Sequence, residues 1–189
     1  MRYLPWPAKA TIIMTLTILA GLSACSRSHA PLPVVEDVDL QRYTGTWYEI
    51  ARLPQFFQRG CYDSTADYVL LGDRRLQVIN SCQRVDDEPR QATGIAEVVD
   101  SSEPARLRVR FDTWISRLLP RLTEGDYWIL YLDENYQLAM VGAPNRDYLW
   151  FLARTPDISA RDYALLEKHA TALGFAVDEL QINRELRPQ

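Results

Sequence analysis

From Gly45 onward the chain is a succession of short β-rich runs separated by turn residues, and this rhythm limits the fold more than any other feature. The runs are "TWYEIARL", "CYDSTADYVLL", "LQVINSCQRV", "QATGIAEVVD", "RLRVRFDTW", "DYWILYLD", "QLAMVGAP" and "YLWFLAR". Punctuation such as "GDRR", "DDEPR", "SSEPA", "DENY" and "NRD" separates them, drawn from residues that favour turns. In the fifth run Leu107, Val109 and Phe111 alternate with Arg106, Arg108 and Arg110, the period of a strand with one buried face. Eight such runs joined as neighbours predict an antiparallel meander. A single helix follows. Ser159 is a natural N-cap with Asp162 three residues on, Leu166, His169, Ala170 and Leu173 share one face, and Gly174 can end it. "DELQIN" then predicts a short edge strand. This order excludes a parallel α/β sheet. It suits an all-β fold: a closed, eight-stranded up-and-down barrel with one C-terminal α-helix packed outside, roomy enough for side chains or one small ligand.

The N-terminus is read apart from the barrel. Arg2 and Lys9 precede the apolar run "ATIIMTLTILAGLSA", which ends at Cys25. The run is short for a membrane span, and its flanks are those of a secretory signal. "LSAC" resembles the lipobox of bacterial lipoproteins, whose cysteine is acylated and becomes the first residue. Ordinary cleavage near Ala24, or a buried apolar helix, are the alternatives. The chain thus divides into a signal peptide (1–24), a lipidated tether (25–37) and a barrel domain (38–189). The tether is polar and contains proline, with no apolar period; its reach is about 45 Å at ~3.3 Å per residue. By resemblance to lipoprotein sorting rules, Ser26 directs the protein to the outer membrane, where acyl chains on Cys25 anchor it, at about 0.8 kcal/mol per buried methylene.

Lipidation leaves Cys61 and Cys82 in an oxidising compartment. Two remaining thiols most simply pair; two free buried thiols are the alternative.

Charge and composition narrow the function. The net charge is −4, and loss of Arg2 and Lys9 with the signal moves it to −6, so a basic nucleic-acid face is not expected. Only His29, in the tether, and His169, on the helix, are available as imidazoles. A nucleophile–His relay would need His169 to act from outside the barrel, so no catalytic residues are assigned. No Cys/His cluster has metal-ligand spacing, and the glycines form neither a dinucleotide nor a phosphate motif, so no metal or cofactor is expected. The 10 Tyr and 5 Trp instead fit a lined cavity. Such an interior suits an acyl chain, and a 16-carbon tail would gain on the order of 12 kcal/mol before the costs of association.

Two motifs carry a family resemblance. "GTWYEIAR", with Gly45 and Trp47, resembles the first signature of the lipocalins. "DYLWFLART", with Arg154, resembles their last, in which the arginine covers the tryptophan at the closed end. From about Val38 to about Ile182 the chain is similar to bacterial outer-membrane lipoprotein lipocalins and to apolipoprotein D. The resemblance implies a carrier of fatty acids or lysophospholipids, with the loop between the first two strands and every second loop after it around the mouth. It also implies ligand contacts from Tyr68, Asn80 and Trp150. Strand alternation turns Ala66, Val78, Tyr148 and Leu152 inward beside them, with plain core filling the alternative for each, and Glu49 shares the parity of Trp47. A lone amide at Asn80 needs a partner from ligand, water or Tyr68. The ligand's polar head would lie near the mouth, close to Arg59, Arg146 or the loop arginines.

Apolipoprotein D ties its second-strand cysteine to its tail, but this tail has no cysteine, leaving Cys82 as the partner for Cys61. Parity puts the two on different faces, so a bond requires Cys61 in a loop or at a bulge. The stretch "TWISRLLPRLTEG" is greasy. Its Trp114, Ile115, Leu118, Leu119 and Leu122, with Arg117 and Arg121, resemble an interfacial segment, and "PQFF" adds Phe56 and Phe57 to that rim. Membrane contact, a lid over the barrel, or a homodimer contact are the readings for this rim.

Overall fold

The computed structural model describes residues 30–84, 88–112, 124–184 and 186–187; the signal segment, Cys25 and the 114–122 stretch lie outside them. Each β-rich run forms a strand: β1 (Gly45–Arg52), β2 (Cys61–Gly72), β3 (Arg75–Arg84), β4 (Arg90–Val98), β5 (Arg106–Phe111), β6 (Glu124–Leu132), β7 (Leu138–Gly142) and β8 (Leu149–Ala153). Every neighbouring pair is antiparallel, and β1 also pairs with β8, closing the sheet into an eight-stranded barrel. Alternation does what period two dictates. Leu107 is buried inside the barrel, while the outward Arg108 and Arg110 pair across the sheet with Asp126 and Glu124 at 3.9 and 3.6 Å.

The two faces of the sheet bury two cores. Inside lie Trp47, Tyr68, Leu76, Val78, Leu107, Tyr127, Ile129 and Leu152. Outside, Ile50, Met140, Leu149 and Phe151 pack under helix α2 (Ala160–Ala172) through Tyr163, Leu166 and Ala170. Ser159 caps that helix, accepting from the Asp162 amide at 3.1 Å, and Gly174 follows its end with φ +82°. His169 is exposed on the helix, its ring 4.9 Å from that of Tyr131. After the helix, β9 (Gln181–Ile182) pairs with the upper end of β1, where β2 has diverged.

Residues 30–37, assigned to the tether on composition, lie against the barrel. Leu32 is buried with the outer core, and the Val35 amide donates to the Ile129 carbonyl at 3.0 Å. The chain then turns through α1 (Leu40–Tyr43), which closes the lower end. Here Gly45 takes φ +90°, and a Cβ on it would sit 3.3 Å from Arg154 Nη1, so glycine serves both backbone and side-chain space. The Arg154 guanidinium lies 4.0 Å above the Trp47 ring and donates to the carbonyls of Thr46, Arg42 and Tyr136. The indole itself donates to the Tyr43 carbonyl at 2.9 Å. Trp47 is therefore a floor plug.

Trp47→Ala should cost about 3–5 kcal/mol of folding free energy. Arg154→Lys, which keeps the charge but loses the fork that reaches separate carbonyls, should cost about 1–3 kcal/mol. Denaturant midpoints measure both, and an unchanged midpoint for Trp47→Ala would remove the indole from its structural role.

Candidate functional site

Above the plug the lumen is filled by phenols. The Tyr127 hydroxyl is hydrogen-bonded to those of Tyr43 (2.9 Å) and Tyr68 (2.7 Å), and all three rings are buried. Burial raises the pKa of each well above the ordinary phenol range, so the cluster stays neutral. Ala66, Val78 and Leu152 pack in the same core. Tyr68 thus spends its hydroxyl on Tyr127 rather than on Asn80. Tyr127 carries no sequence motif, and only the closed barrel shows that it bridges the other two phenols.

Nearer the mouth the side chains loosen. Asn80, Tyr148 and Trp150 are half-buried. The Asn80 amide has no hydrogen-bond partner among the described residues. Tyr148, just before β8, stacks on Trp150 with centroids 6.2 Å apart and on Phe57 at 6.1 Å, and Phe57 meets Phe56 edge-on at 5.3 Å. The Trp150 indole donates to Gln58 Oε1 at 3.0 Å.

Gln58 leads into a polar network. Its Nε2 donates to Glu49 Oε2 at 2.8 Å, and the other Glu49 oxygen accepts from Arg52 Nη1 (2.5 Å) and from the Asn183 amide. Arg52 also donates to the carbonyls of Gln58 and Cys61. Glu49 and Arg52 both face inward because the β1–β8 register shifts between Glu49 and Ala51, which places Arg52 opposite Trp150. Both are buried, at 5% and 3% exposure, so the pair is held by its extra donors and acceptors. Sequence parity points to Glu49 alone; Arg52, Gln58 and Asn183 carry no local signal of this role.

Cys61 and Cys82 form a disulfide, with Cα atoms 5.4 Å apart. The parity conflict is resolved by one extra residue in β2: the register shifts between Tyr62 and Thr65, and Asp63 takes φ +51°. The bond joins β2 and β3 at the mouth, beside the carbonyl that Arg52 engages. Of the arginines expected near a ligand head, Arg59 is exposed, Arg146 is committed to the carbonyls of Ala30, Pro144 and Leu173, and Arg117 and Arg121 lie outside the described residues.

A barrel with a plugged floor and a cluster of aromatic rings at its other end is the architecture that these contacts define. Residues 38–185 match the family model described as a lipocalin-like domain. The outer membrane lipoprotein Blc of Citrobacter freundii is 37% identical over 183 residues, covering 95% of this chain and 96% of Blc. Mouse apolipoprotein D is 30% identical over 185 residues, covering 90% and 93%. Among solved structures, insecticyanin from the tobacco hornworm Manduca sexta superposes with a TM-score of 0.63 at 14% identity, covering 85% of this chain and 92% of its own. The chain belongs to the lipocalin family.

Glu49 gives the network a pH signature. Burial pushes its carboxyl pKa up, against the opposing pull of Arg52 and then Gln58. In the unfolded chain the group titrates in the ordinary carboxylate range, so between that range and the raised value the folded state holds the extra proton. The stability it contributes is complete below the ordinary range and is lost as pH rises through the folded pKa. Glu49→Gln should remove that decline from a series of denaturation midpoints against pH. An unaltered slope would mean that burial does not govern this carboxyl.

Proposed function

We propose that this lipocalin is anchored in the outer membrane through a lipidated Cys25 and takes a single-chain amphiphile, a fatty acid or a lysophospholipid, into the upper half of its barrel, for storage or transport. The observation that carries the reading is Asn80: a half-buried amide on the lumen wall with no partner among the described residues, in a barrel otherwise lined by rings and aliphatics. Water can reach this half-buried amide in the free protein, and a ligand ester, carboxyl or hydroxyl can take that water's place. With phenols packing the lower lumen, an acyl tail would lie above them, with Trp150 and Tyr148 as flat apolar walls. Arg59 stands exposed near the mouth, where an anionic head would emerge. The lipobox-like "LSAC" and the family of outer membrane lipoproteins to which Blc belongs support the anchoring.

Lipid extracted from protein purified with its native lipids, followed by mass spectrometry and titration with acyl chains of graded length, tests the reading. Trp150→Ala and Asn80→Leu should each weaken binding of the identified amphiphile by roughly tenfold, the loss of about 1.4 kcal/mol. Equal affinity in both variants would place the ligand elsewhere. Absence of any acyl ligand, with a lumen too narrow for a methylene chain, would favour a filled barrel with a structural or interaction role.

A further inference from the structure

The described chain begins at Ala30, and its position decides which end of the barrel an anchor would hold. The Ala30 carbonyl accepts from Arg146 Nη2 at 2.7 Å. Arg146 lies between β7 and β8, in the loop beside β1–β2 at the mouth. From there residues 30–38 run down the outside to the floor, where Val38 and Leu40 pack. Cys25 precedes Ala30 by five residues, a reach of at most about 17 Å at ~3.3 Å per residue. An anchor on Cys25 therefore keeps the mouth, not the floor, next to the bilayer.

The mouth is also where the most exposed large apolar side chain among the described residues stands. Phe56 is 78% exposed and Phe57 41%. They head a ladder of rings: Phe57 stacks on Tyr148 with planes 27° apart, and Tyr148 on Trp150 with planes 12° apart. The ladder leads without interruption from solvent to the lumen wall. Its inner end is fixed by the Trp150–Gln58 hydrogen bond, and the 3₁₀ turn Phe56–Gln58 that carries the outer rings is tied through Gln58 to Glu49.

We propose that the mouth docks on the bilayer that holds the anchor, with Phe56 and Phe57 inserted at the headgroup boundary, and that Phe57, Tyr148 and Trp150 form the path along which an amphiphile passes between bilayer and lumen. The proposal rests on the anchored, lipid-binding reading above. Insertion is apolar rather than electrostatic. The mature chain would carry a net charge of −6, and the loops and strand ends at the mouth carry the exposed acids Glu88, Asp112 and Asp147 alongside the exposed Arg59 and Arg90, so no net basic rim forms among the described residues. Docking should therefore persist at high salt and on zwitterionic lipid. Exposed Val69, Leu71 and Val99 lie toward the opposite end, where β2 and β4 finish. They make up the surface that a floor-down orientation would use.

The test uses the full-length lipidated protein in phosphatidylethanolamine vesicles containing a photoactivatable phospholipid, with cross-links mapped by mass spectrometry. Cross-links should fall on Phe56, Phe57 and Tyr148, at low and high salt alike. Phe56→Ser/Phe57→Ser should still float with vesicles and unfold at an unchanged midpoint, but lose those cross-links. Cross-links on Val69, Leu71 and Val99 instead would overturn the docking while leaving the anchoring intact. Protein that does not float would overturn the anchoring and the docking together.

Discussion

The guanidinium of Arg154 over the indole of Trp47 is the contact on which the rest of the barrel depends. It comes just after the last barrel strand and covers a ring on the first, so it closes the lower end of the β1–β8 seam. Its donors also collect the carbonyls of Thr46, Arg42 and Tyr136, binding α1 and the β6–β7 turn to the same point. A planar fork with donors aimed in several directions can do this, whereas an ammonium cannot. With the floor sealed from below and the phenols of Tyr43, Tyr127 and Tyr68 stacked above it, the lumen can open only at the other end.

At that end the chain solves a different problem. β2 diverges from β1 and leaves a gap that apolar packing alone does not fill. The gap is bridged by Glu49, Arg52, Gln58 and Asn183, by the β9 pairing, and by the Cys61–Cys82 bond. Arg184 adds an ion pair to Asp63 and a contact over Tyr48, 4.9 Å from its ring centre. Buried charge tolerates this position because each charge meets several partners. The same network holds Gln58, and Gln58 holds Trp150, so the wall of the lumen is preorganised by residues that do not line it. A rigid ring at the mouth costs a ligand less ordering than a mobile one.

Much of this was legible in the chain itself. Residues Leu107 to Phe111 announce a strand by alternation, and the outward arginines find acids on β6 as the period requires. Trp47 and Arg154 are marked by motifs, and the structure gives them the roles those motifs imply. The cysteine pair was half legible: parity showed that a bulge was needed, and the left-handed backbone at Asp63 supplies it. Arg146 reads as a free cation at the mouth but is occupied by three carbonyls. Residues 30–37 read as a tether because their composition is polar, yet Leu32 and Val35 dock on the barrel. A short segment with two or three anchoring side chains has no periodicity to betray it.

Alternation, turn chemistry and capping act over a few residues, so the strands, their order and the outer helix are written locally in the chain, and the two motifs mark the plugged floor. Which inward side chains become partners is set by closure of the barrel. Gln58 meets Trp150 across 92 residues, and Asn183 meets Glu49 across 134. No local pattern encodes such pairs. They exist because closing the barrel brings its first strand, its last strand and the tail to one place, and a buried polar group then takes whichever partner lies within hydrogen-bonding reach.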